Sequence, residues 1–164
     1  MNILAIDFGI NWISYCIGQN NYIYDWNGIN YTTNLNSDIL YIFLQNITSR
    51  IKIDIVLLEK LSIKSCQKAI FYKIKDYFKN IKIKVFSKEN LIKNSTVKIK
   101  TFRELINFKI KKIHSMFNKN IFVFSSDYYK EMYDMCNYLE KTKLIGSIYL
   151  YSYFLNKDIQ YILF

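Results

Sequence analysis

The chain contains no proline and only four glycines in 164 residues. No proline-rich or glycine-rich stretch divides it and no internal repeat is visible, so one domain over 1–164 is expected. Cysteine is scarce: Cys16, Cys66 and Cys136 are odd in number and far apart. They make neither a CxxC pair nor a zinc pattern, which leaves free thiols in a reducing compartment. The single histidine, His114, lies among lysines of an expected helix and has no partners for a ligand set. Arginine is nearly absent, with Arg50 and Arg103 against 21 lysines. No basic leader precedes the first apolar run, which Asp7 interrupts. The apolar stretch 144–155 is too short to span a bilayer. An intracellular protein without a membrane or small-molecule cofactor is the expectation.

What the chain has is apolar mass and positive charge. Half of it is hydrophobic (51%), including 15 Tyr and 12 Phe. A disordered chain is thereby excluded, and the length suffices for a sizeable core. The formal net charge is +10. That balance favours a polyanion, chiefly nucleic acid, through phosphate contacts and counterion release. The abundance of Lys, Asn and Ile also reads as codon bias toward AT-rich DNA, so each single lysine carries little weight.

Three β-type runs open the sequence, at 3–7, 12–17 and 22–26, punctuated by Gly9, the 18–21 stretch and Asn27-Gly28. They predict an antiparallel meander. Asn36 or Ser37 caps a helix whose face carries Leu40, Phe43, Leu44 and Ile47. The continuous run 54–59 predicts a strand covered on both faces. A lysine-backed helix over about 65–80 follows, then an exposed strand at 81–86. A third helix carries Phe102, Leu105, Ile106, Ile110, Ile113 and Phe117 on one face. The 121–124 segment reads as a short strand or a buried turn, and 127–139 and 141–156 as two last helices. The order predicts an α/β domain with a mixed five-stranded sheet, three antiparallel strands first, and flanking helices.

Two acids end apolar runs: Asp7 after Ile3-Leu4-Ala5-Ile6, and Glu59 after Ile55-Val56-Leu57-Leu58. A carboxylate inside a fold is costly unless it is paired or binds a cation. Asp7-Phe8-Gly9 alone is also an ordinary strand-to-turn boundary. Glu59 carries more weight, because Glu is unfavourable at the end of such a strand; its bland reading is a pair with Lys60 or another lysine.

The opening Ile-Leu-Ala-Ile-Asp7-Phe-Gly9-Ile, turning into Trp-Ile-Ser-Tyr-Cys-Ile-Gly, resembles the first hairpin of the ribonuclease H-like superfamily. Asp54-Ile-Val-Leu-Leu-Glu59-Lys60, with the basic helix and Lys84-Val-Phe86 after it, is similar to the RuvC-type Holliday junction resolvases, especially their poxvirus and mitochondrial branch. The resemblance runs over most of the chain. It implies a ribonuclease H-like fold, a homodimer, and resolution of branched DNA by phosphodiester hydrolysis. It further implies two Mg²⁺ or Mn²⁺ ions held by four carboxylates. Asp7 would bridge both ions and Glu59 would reach one. For a viral member the setting would be the host cytoplasm.

The family's last two acids form an Asp-x-x-Asp on the C-terminal helix. By position that register falls on Lys143 and Gly146, neither of which is an acid. A second register is Glu131 and Asp134, at the same i, i+3 spacing but about thirty residues from the end; a solvated helix face explains that pair equally. Phosphate contact is expected from Lys60, Lys64 and Lys68 after Glu59, and from Lys98, Lys100 and Arg103 before the third helix. The alternative function is a resolvase-like protein that has lost catalysis and survives as a DNA-binding or structural protein. Sugar kinases and actin-like ATPases share the opening motif, but they need two such domains.

Overall fold

A computed structural model describes residues 1–60, 67–92 and 99–159. Three strands form the N-terminal meander: β1 (Ile3–Phe8), β2 (Trp12–Gln19) and β3 (Tyr22–Asn30). Helix α1 (Ser37–Thr48) follows, and the Asn36 side chain caps it by accepting from the Ile39 N–H. Strand β4 (Ile55–Glu59) returns beside β1 and parallel to it. Helix α2 (Lys68–Tyr77) leads to β5 (Lys82–Phe86), parallel to β4 at the sheet edge. The short α3 (Lys88–Ile92), then α4 (Phe102–Asn118), β6 (Val123–Phe124), α5 (Tyr128–Met135) and α6 (Tyr138–Ile159) complete the chain. The strand order is β5-β4-β1-β2-β3-β6.

Among the described residues the sheet has six strands where the sequence pattern predicts five. Strand β6 is the addition. It joins β3 through Val123 N–H to Asn21 O and Ser125 N–H to Ile23 O, a pairing too short to show alternation. The last helix also begins earlier than expected. Asn137 and Glu140 exchange side-chain and backbone hydrogen bonds, a capping box that ends the preceding turn and starts α6 at Tyr138.

Helices cover both faces of the sheet, and strand alternation sorts the side chains between two cores. Leu4, Ile6 and Phe8 of β1, with Val56 and Leu58 of β4, face α1 and α2. Ile3 and Ala5, with Ile55 and Leu57, face α4 and α6. Trp26, fully buried, anchors this second core against Phe117, Phe124 and Tyr133, and its indole N–H donates to Leu144 O. No helix among the described residues is long and apolar enough to cross a membrane.

Candidate active site

Parity alone brings the two acids together. Asp7 follows Ile3 and Ala5 at steps of two, and Glu59 follows Ile55 and Leu57, so both point to the α4/α6 face. Strands β1 and β4 pair in parallel with Ala5 opposite Leu57 and Ile6 opposite Leu58. The next pair in that register is Asp7 and Glu59, at the C-terminal edge of the sheet. In open α/β sheets this edge is where ligands bind.

A lysine completes the group. Lys109 of α4 has 4% of its side chain exposed, and its Nζ lies 2.9 Å from Glu59 Oε2. The Glu59 side chain keeps 18% exposure. The same ammonium stands 5.6 Å from the centre of the Tyr149 ring, a cation–π contact. Asp7 retains a little surface, but protein surrounds its carboxyl group. That burial raises its pKa from 3.8 to about 7; the Lys109 charge pulls it down, Glu59 pushes it up, and a hydrogen bond from the Phe8 N–H lowers it. Ser14, directly opposite Asp7 on β2 and fully buried, donates weakly to the Asp7 carbonyl oxygen at 3.5 Å.

Helix α6 closes the site with a backbone and no acid. Gly146 lies so near Asp7 that a Cβ built there would stand 1.6 Å from Asp7 Oδ2. The C-terminal register read from the sequence is therefore the one that faces Asp7, and Gly146 fills it without a ligand. One turn earlier, Lys143 donates from Nζ to Asn30 Oδ1 at 2.7 Å, at the end of β3.

Glu131 and Asp134 do not join the group. Both are exposed on α5, whose buried residue is Tyr133, and α5 packs on β3 rather than on β1 or β4. Among the described residues no three His, Cys, Asp or Glu side chains come together around a cation position. The expectation that Glu131 and Asp134 supply the last two metal ligands is thus corrected: the chain inserts a capped break at Asn137, and the acids fall on the solvent side of the preceding helix. Four carboxylates for two ions are not present among the described residues. Asp7 and Glu59 do suit a single hard divalent cation, since Mg²⁺ is commonly held by one or two carboxylates plus waters and substrate phosphate.

Of the basic candidates, Lys60, Lys68, Lys100 and Arg103 are described; Lys64 and Lys98 lie outside the described residues. Lys60 directly follows Glu59, and its N–H donates to Phe86 O. Lys100 and Arg103 flank the N-terminus of α4. Lys109 is a candidate site residue that the sequence alone did not single out. It occupies the core slot three residues after Ile106 and four before Ile113, and a lysine inside an apolar stripe is the signal that marks it.

No family model and no curated protein sequence matches the chain. Solved structures do. The fowlpox virus resolvase in complex with its substrate Holliday junction DNA is similar, with 22% identity, a TM-score of 0.66, and coverage of 96% of this chain and 98% of that one. The yeast mitochondrial Holliday junction resolvase Ydc2 matches with 13% identity and a TM-score of 0.65, over 93% of this chain and 78% of that one. Thermus thermophilus RuvC matches with 7% identity and a TM-score of 0.54, over 94% of each chain. Sheet order, helix placement and these likenesses agree: the chain has the ribonuclease H-like fold of the Holliday junction resolvases.

Proposed function

We propose that this protein is a structure-specific endonuclease that binds branched DNA and hydrolyses a phosphodiester at the centre formed by Asp7, Glu59 and Lys109. The observation that carries the reading is the placement of these three groups. Two carboxylates lie side by side at the C-terminal edge of a resolvase-type sheet, with an ammonium held 2.9 Å from one of them. Solved relatives in fold include a resolvase and a RuvC that each carry a Holliday junction. The +10 net charge suits such a partner.

In the proposed centre Asp7 and Glu59 would hold a divalent cation such as Mg²⁺ or Mn²⁺, which when bound would supply charge neutralisation and activation of water at the phosphodiester. The chain's own groups do the rest. Lys109 fixes the direction of Glu59 through their 2.9 Å contact, and it presents a positive charge to the entering phosphate. The ring of Tyr149 and the packed stem of Lys109 shield that ammonium, so its field is little screened. Lys60, Lys68, Lys100 and Arg103 position the backbone of the DNA arms as point charges and, in Arg103, as a fork. A homodimer would bring two such centres to one junction, as paired nicks require.

One observation favours a second reading. Gly146 packs on Asp7 and Lys143 precedes it, where acids would complete a two-ion site. A protein that binds junctions without cutting them would be built this way. A cleavage assay separates the two. Wild-type protein is incubated with a labelled four-way junction and with linear duplex, in Mg²⁺ or Mn²⁺. Nicking of the junction alone supports the endonuclease; tight junction binding with no product in either metal supports the non-catalytic reading.

A further inference from the structure

Helix α4 runs across the sheet from the acidic edge to the opposite edge. Lys109 meets Glu59 at the C-terminal end of β4, while Phe117 packs against Trp26 and Phe124, beside the far end of the meander. The turns before Lys109 must therefore extend beyond the acidic edge. Phe102, the first residue of the helix, lies seven positions before Lys109. Seven residues are two turns, so Phe102 shares the face of Lys109 and stands about 10 Å farther out. It prolongs the stripe of Leu105, Ile106, Lys109 and Ile113, all buried, yet 73% of its own surface is exposed.

Its surroundings are basic and fixed. Lys100 and Arg103 flank it, both exposed. The nearby Glu104 carboxylate is engaged by the N–H groups of Lys100 and Thr101, and Thr101 Oγ1 accepts from the Glu104 N–H. That capping box holds the backbone of the first turn, from which Phe102 projects. At the same end, Tyr138 ties α6 to α4 by donating to Asn107 Oδ1 at 2.9 Å. An exposed aromatic ring beside two cations, beyond the proposed centre, matches the chemistry of an unstacked nucleobase on a charged backbone.

We propose that Phe102 is a stacking platform for a base unpaired at the branch point, and that it makes binding selective for branched over linear DNA. This rests on the branched-DNA reading above, and the experiment separates the two failures. Affinities for a four-way junction and for linear duplex are measured in chelator, so that no cutting intervenes, for wild type, Phe102→Ala and Phe102→Trp. Phe102→Ala is expected to weaken junction binding about tenfold to a hundredfold, the range of one lost stacked base, with duplex binding unchanged. Phe102→Trp is expected to restore junction binding and to show indole quenching on the junction only. Equal loss on both DNAs, or a junction preference that survives Phe102→Ala, overturns the role of Phe102 alone. A wild-type protein with no junction preference overturns the branched-DNA reading and this inference with it.

Discussion

At the level of single residues, the site is a balance of buried charge. Asp7 has a carboxyl pKa raised to about 7 by burial, against an ordinary 3.8. Its native form thus holds a proton that the unfolded chain gives up between those values. The stabilisation is full below about pH 4 and is lost as pH rises through 7. In chelator, Asp7→Asn is therefore expected to raise the melting temperature clearly more at pH 8 than at pH 5, where only part of the stabilisation is lost; an equal shift at both values would contradict the buried-acid description. Lys109 is the ion-pair partner of Glu59. Removing one partner of a buried pair leaves a costly charge, and here about 3 kcal/mol is expected because Glu59 keeps some water contact. Lys109→Met should lose that much in chemical denaturation, and added Mg²⁺ should restore more stability to it than to wild type, since the cation then replaces the ammonium. Stability unaffected by Lys109→Met would remove the pair from the account. Asp7 and Glu59 were legible because each ends an apolar run, and strand parity then forces them together. Lys109 was marked only by its place inside the apolar stripe of α4, a signal easily lost among 21 lysines until its partner Glu59 is seen.

At the level of elements, the patterns that involve burial were legible and the short ones were not. The meander, β4 and the α4 stripe follow from alternation and from helical spacing, since each buries one face or both. Strand β6 has two residues and α3 has five, too few to express a period. The break between α5 and α6 turns on one cap. Asn137 is an ordinary polar residue until its side chain is seen accepting from the Glu140 N–H at 3.0 Å. That cap decides where the acids of α5 fall and which residue of α6 meets Asp7. Asn137→Ala is expected to cost about 1 kcal/mol in urea unfolding; no loss would mean that packing alone sets the start of α6.

At the level of the whole molecule, the +10 net charge suits the polyanion partner of the proposed function. Polyanion binding is expected to be salt-dependent because each neutralised phosphate releases counterions. With Lys60, Lys68, Lys100 and Arg103 in contact, the logarithm of the junction association constant should fall against the logarithm of salt with a slope of about −3.6. Replacing Lys100 and Arg103 by Gln should reduce that slope by about 2, and an unchanged slope would place the binding face elsewhere. Homodimerisation leaves no mark in a single chain's sequence, because an interface and an ordinary exposed apolar residue look alike there.

The central claim is that Asp7 and Glu59, with Lys109 between α4 and the sheet, form a working divalent-dependent centre on branched DNA. It is tested most directly by single-turnover cleavage of a four-way junction by wild type and Asp7→Asn, at protein concentrations that bind the junction fully in both. Symmetric nicking by wild type in Mg²⁺ or Mn²⁺, with undiminished binding and no product from Asp7→Asn, is the expected result. Equal cutting by both proteins, or full binding by wild type with no cutting in either metal, would contradict it.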